Sequence, residues 1–122
     1  MQKIIIAGGR DFNDYEAVCK ALDGLLAEFD DEVLIISGGA KGGDVLGERY
    51  AREHGLAVIV YSAVWEKYGP KQTQSRNEQM ATITDRLVAF WDGQSKGTGF
   101  LIQFMQQLGK PVHVFDYDGN PR

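Results

Sequence analysis

The sequence predicts an α/β fold, a five-stranded parallel sheet with helices on both faces. Three observations carry this. Five short apolar runs recur along the 122 residues, each too continuous for a sheet with one wet face. Segments of helical period separate them. The connections are also unequal: those from helix to strand are short and plain, whereas those from strand to helix are long and glycine-rich.

The elements follow in order. Lys3–Ala7 is a β-branched run and reads as the first strand. Tyr15, Val18, Leu22, Leu25, Leu26 and Phe29 then recur at helical spacing, with Asn13 as the expected N-cap and Glu16 three residues on. Val33–Ser37 is the second strand, and Asp44–His54 the second helix, closed by Gly55. Ala57–Tyr61 is the third strand and Gln72–Thr82 the third helix. Arg86–Trp91 is the fourth strand. Thr98–Leu108 is the fourth helix, with Leu101, Phe104, Met105 and Leu108 on one face; it stops at Gly109, with Pro111 just beyond. Val112–Asp116 is the fifth strand, and the tail Asp118–Arg122 is expected to fray. No repeat or linker interrupts this pattern, so residues 1–122 read as one domain. Strand–helix alternation calls for right-handed crossovers.

Composition narrows the function. Apolar residues are 43% and charged residues 25%, which suits a globular chain. With 13 basic and 17 acidic residues the formal charge is −4, so non-specific duplex-DNA binding is disfavoured while a local basic pocket is not. The single Cys19 cannot form an intramolecular disulfide, which fits a reducing, cytoplasmic compartment. No Cys/His spacing suggests a metal, no segment is long enough for a membrane span, and no cofactor is expected. His54 and His113 have no Ser or Cys partner in a recognisable arrangement, which disfavours a hydrolase triad.

In a parallel sheet the four strand-to-helix loops share the carboxyl edge, where open α/β folds bind ligands. The first is Gly8-Gly9-Arg10-Asp11-Phe12, and the second is Gly38-Gly39-Ala40-Lys41-Gly42-Gly43-Asp44. The third runs from Ser62 to Pro70 and holds Trp65 and Tyr68; the fourth is Asp92-Gly93-Gln94-Ser95-Lys96-Gly97-Thr98. Glycine lets backbone approach a ligand, and such turns aim free N–H groups toward an anion at the helix start. Arg10, Lys41 and Lys96 therefore suggest a focused seat for phosphate or carboxylate. Neither G-x-x-x-x-G-K-[ST] nor G-x-G-x-x-G occurs, so the cradle is of another type.

Taken together, Gly8-Gly9-Arg10-Asp11-Phe12, Ser37-Gly38-Gly39-Ala40-Lys41-Gly42-Gly43-Asp44, Arg76-Asn77-x-x-Met80 and the glycine–threonine turn before the last helix resemble the SLOG superfamily. That group unites DNA-processing protein A and the LOG ("lonely guy") phosphoribohydrolases, and the likeness is greatest to its small YspA-like branch. The resemblance spans nearly the whole chain. It implies a Rossmann-like three-layer domain that binds a nucleotide or nucleotide-derived ligand. It further implies that the Ser37–Asp44 loop and the Gly97-Thr98 turn hold phosphate, with Arg10, Arg76 and Asn77 lining the pocket. LOG enzymes carry P-G-G-x-G-T-x-x-E; here Leu101 stands where that glutamate would be, which argues against a LOG-type hydrolase.

The expected ligand-binding set is accordingly Gly8, Gly9, Arg10, Asp11, Phe12, Ser37, Gly38, Gly39, Lys41, Gly42, Asp44, Trp65, Arg76, Asn77, Asp92, Ser95, Lys96, Gly97 and Thr98. Phosphate would rest on the second and fourth helices, neutralised by Lys41, Lys96 and Arg10, with Trp65 as the foremost residue to stack on a base. Asp44 reads first as an N-cap, and Asp11 or Asp44 as general base if there is turnover. The leading expectation is a sensor or sequestering module for a nucleotide. A nucleotide-processing hydrolase and a single-strand-binding module are the rivals. Self-association as a homodimer or higher homo-oligomer is expected, through a partly exposed Phe100, Ile102 or Phe104.

Overall fold

The computed structural model describes residues 1–61 and 70–122, with side chains described for 1–61 and 76–122. Trp65 and Tyr68 lie outside the described residues. The strands are β1 (Gln2–Gly8), β2 (Val33–Ser37), β3 (Ala57–Val60), β4 (Arg86–Phe90) and β5 (Val112–Phe115). The helices among the described residues are α1 (Tyr15–Leu26), α2 (Gly43–Glu53), α3 (Pro70–Ile83) and α4 (Lys96–Gln107). The sheet is wholly parallel, in the order β3-β2-β1-β4-β5. This is the Rossmann-like architecture expected.

Alternation along β1 explains the layers. Ile4 and Ile6 point to one face, where they pack with Val18 and Leu22 of α1 and Tyr50 and Ala51 of α2. Ile5 and Ala7 point to the other, against Met80 and Ala81 of α3 and Leu101, Ile102 and Met105 of α4. A central strand buried on both sides must be apolar at every position, hence the unbroken I-I-I-A. After β3 the chain crosses β1 and β2 to lay β4 on the far side of β1. The carboxyl ends of β1 and β4 thus flank the switch point of the sheet.

Several boundaries differ from expectation for local reasons. Asp14, not Asn13, caps α1, its Oδ1 accepting from the Ala17 amide at 3.2 Å. Asp44 is not the cap of α2; that position belongs to Gly42, at φ +85°, and Asp44 lies in the first turn. α4 begins at Lys96, two residues earlier than its apolar period suggests. Ile102 is buried; Phe100 and Phe104 are half-buried and stack at 6.0 Å. The tail does not fray. Asp116 Oδ1 accepts from the Asp118 and Asn120 amides at 3.0 and 2.9 Å, Gly119 turns the chain at φ +84°, and the Arg122 amide donates to Val114 O at 2.8 Å. No helix of the described residues is long and apolar enough to cross a membrane.

Candidate functional site

A cavity of about 400 Å³ opens at the switch point. β1 gives it Ala7 and Gly8, the following loop gives Arg10 and Asp11, and α4 gives Gly97, Thr98 and Leu101, with Ser95 just before. Ala40 and Asp44 close it from the second loop and α2; Arg76, Asn77 and Met80 close it from α3. Ala7, Met80 and Leu101 form an apolar wall beside the charged groups.

The second loop is shaped by close approach of backbone. α2 starts directly over the end of β1, where a Cβ on Gly43 would strike Gly8 N. Within the loop Asp44 reaches back, its Oδ2 accepting from the Gly38 and Ala40 amides at 3.1 and 3.4 Å. The protein's own carboxylate therefore occupies two N–H groups of the loop that the resemblance assigned to phosphate. Beneath it Ser37 is fully buried, donating to Glu48 Oε2 at 2.7 Å and accepting from the Gly39 amide at 3.0 Å. Ser37, Gly38, Gly39 and Gly42 build this loop and do not line the cavity. Glu48 was missed by the sequence reading, although its i, i+4 spacing from Asp44 places both on one helix face.

Arg76 faces the loop from α3, donating to Gly38 O at 2.9 Å and to Asn77 Oδ1 at 3.0 Å. Asn77 is buried, and its Nδ2 finds no acceptor among the described residues. Burial pushes the Arg76 guanidinium pKa down, Asp44 opposes this, and the nearby charge of Arg10 lowers it further. Arg10 is exposed and makes no ion pair among the described residues. Two guanidiniums thus share one cavity with two carboxylates, Asp44 beside Arg76 and Asp11 beside Arg10 in sequence. Burial raises Asp44 to about 6; Arg76 and the two loop amides pull it back, and Glu48 adds to the rise. Asp11 turns its carboxylate to Tyr117, whose hydroxyl donates to it at 2.7 Å.

α4, like α2, starts without a side-chain cap. Ser95 is its N-cap and makes no side-chain cap bond, so the first-turn amides are left open beside Thr98. Asp92 lies outside the cavity, its Oδ1 accepting from the Gln94 and Ser95 amides at 2.8 Å each, which sets the approach to the helix.

Four further expectations change, and that for Leu101 does not. Phe12 is 1% exposed and stacks on Phe90 with ring centroids 4.8 Å apart, so it is core. Gly9 is packed under Tyr117, where a Cβ would strike the hydroxyl. Lys41 is exposed and lines no cavity described here. Lys96 lines a second cavity on the other side of α4. Leu101 is buried and forms part of the wall, so the place of the LOG glutamate is apolar. Ala7, Ala40 and Met80 were missed; Met80 alone carried a signal, one turn from Arg76.

The chain is similar to known proteins over most of its length. DNA processing protein A from Streptococcus pneumoniae superposes with a TM-score of 0.72 at 18% identity, over 93% of this chain and 49% of that one. The chain thus spans about half of that structure, and the likeness is one of fold. Gene 61 protein of Mycobacterium phage D29 is 32% identical over 121 residues, covering 94% of this chain and 97% of that protein. Residues 2–68 match the profile described as YAcAr, and on these grounds the chain belongs to the YspA, cpYpsA-related SLOG family.

Proposed function

We propose that the cavity at the switch point binds a nucleotide or nucleotide-derived, phosphate-bearing ligand, as a sensor or sequestering module. One observation carries this reading: Arg10 and Arg76 direct two guanidiniums from separate elements into one cavity beside the uncapped start of α4. Arg10 has no ion-pair partner among the described residues, and guanidinium suits phosphate through bidentate bonds. Phosphate suits the start of α4 better than the second loop, because the Asp44 carboxylate stands at that loop and repels a second anion. The apolar wall suits a base or sugar face, and Asp44 and Asn77 suit hydroxyls. Family membership supports a nucleotide-related role without naming the ligand.

Thermal-shift measurements with nucleoside monophosphates, ADP-ribose and cyclic dinucleotides test it. Binding raises the melting temperature by mass action. A flat response to every phosphate-bearing nucleotide overturns the reading. Light scattering of the free and ligand-bound chain tests the accompanying homodimer.

A second reading, a nucleotide-processing hydrolase, is favoured by Asp44 alone: a buried carboxyl with pKa about 6 beside the cavity has the character of a general acid or base. Prolonged incubation with each binding nucleotide, followed by chromatography, decides it; recovery of intact ligand removes it.

A further inference from the structure

We propose that the cavity on the far side of α4 is a second base subsite, so that the ligand class is a dinucleotide with one nucleoside on each side of the α4 start. This rests on the reading above and extends it.

The second cavity is larger and more open, about 690 Å³, and meets the first at Ser95. A ligand phosphate at the first turn of α4 therefore sits between the two. The far cavity has its own recognition chemistry. Trp91 is half-buried, and its Nε1 donates to Ser95 O at 3.0 Å, which fixes the indole plane. Gly99 lets the backbone of α4 pack closely against the indole, since a Cβ there would come within 3.2 Å of it, and so holds the ring at the edge of the cavity. Phe100 adds a second aromatic surface. Lys96 and Arg122 add two cations, Arg122 lying over the indole at 5.2 Å and donating to Trp91 O at 2.7 Å. Gln94 and Gln103 present amides, and no Asp or Glu side chain among the described residues lines the cavity. Aromatic faces, amides and cations in one groove are the means by which an unpaired base and its phosphate are held. A groove for an apolar protein segment would lack this polar set. Lys96, which the sequence grouped with Arg10, faces this subsite.

Calorimetric titration with 5′-AMP and with the diadenylate pApA, on the wild-type chain and three variants, tests the assignment. The diadenylate is expected to bind about tenfold tighter or better, as one additional stacked base gives. Phe100→Ala and Gln103→Glu should each reduce it to the AMP level while leaving AMP unchanged. Gln103 is exposed, so that variant keeps the test valid if Phe100→Ala disturbs folding. Arg10→Ala should weaken both ligands. Normal, Arg10-dependent AMP binding with pApA no tighter, or an advantage that survives both α4 variants, overturns the second subsite alone. Absence of binding by both ligands overturns the second subsite, and the reading of the first cavity falls with it only where the thermal-shift response to every phosphate-bearing nucleotide is also flat.

Discussion

Asp44 and Arg76 hold the two sides of a single residue. The Asp44 carboxylate accepts from the Gly38 amide at 3.1 Å, and the Arg76 guanidinium donates to the Gly38 carbonyl at 2.9 Å. A helix start and a distant helix are thereby tied to one loop position, with charge of each sign facing the cavity. The loop is set by the protein itself before any ligand arrives, which lowers the ordering cost of binding.

A side chain on Gly38 must displace the ends of Asp44 and Arg76. A Cβ there would lie 2.7 Å from Asp44 Oδ2 and 3.1 Å from Arg76 Cζ. We expect Gly38→Ala to separate the pair and destabilise the fold by about 1–3 kcal/mol. Nucleotide affinity should fall along with it. Urea denaturation and calorimetry check this, and unchanged stability and affinity would contradict the described loop.

Asp44 also links stability to pH. The unfolded chain ionises this group near the ordinary 3.8, the folded chain near 6. Between these values the folded state retains a proton that the unfolded state has lost. Its contribution to stability is therefore full at low pH, declines as pH rises from 3.8 to about 6, and is constant above. The gap corresponds to about 3 kcal/mol. Asp44→Asn keeps an oxygen for the Gly38 and Ala40 amides and removes the titration. The difference between wild-type and variant urea midpoints should thus vary across this window, favouring the variant at neutral pH. A constant difference would show that Asp44 titrates normally.

The layers were legible because period alone fixes them: an uninterrupted I-I-I-A strand has no wet face, and Leu101 and Met105 recur one helical turn apart. The rim was legible in part. Arg10, Asp11, Asp44, Arg76, Asn77, Ser95, Gly97 and Thr98 do meet at one cavity. Which glycine loop is free for a ligand was not legible, since Asp44 reads first as a cap and then as a base, and only its rotamer shows that it turns back onto the loop amides. Nor was the direction of the lysines. A cation beside glycine is unconstrained in sequence, and on α4 a shift from Lys96 to Gly97 turns the side chain about a quarter of the way around the helix.

The two cations of the first loops should separate in experiment. Arg10 reaches the cavity, whereas Lys41 is exposed outside it. Arg10→Ala should weaken a phosphate-bearing nucleotide by about 1.5–3 kcal/mol and leave the melting temperature nearly unchanged. Lys41→Ala should alter affinity by no more than about twofold, and less as salt rises. Calorimetry of both variants at low and high salt checks this. Equal losses would return Lys41 to the site.

Phe12 follows Arg10 and Asp11 in the first loop yet belongs to the interior. Its ring stacks on Phe90 at 4.8 Å with 12° between planes and touches Tyr117 at 4.8 Å. Tyr117 in turn holds Asp11. Phe12→Ala leaves a void among rings that cannot collapse, and should destabilise by about 3–5 kcal/mol. Phe12→Leu fills most of that volume and should recover over half of the loss. Chemical denaturation measures both. In conditions where each variant remains folded, nucleotide affinity should stay within about twofold of wild type, because Phe12 does not line the cavity. A stable Phe12→Ala protein that no longer binds nucleotide would instead place this ring at the ligand.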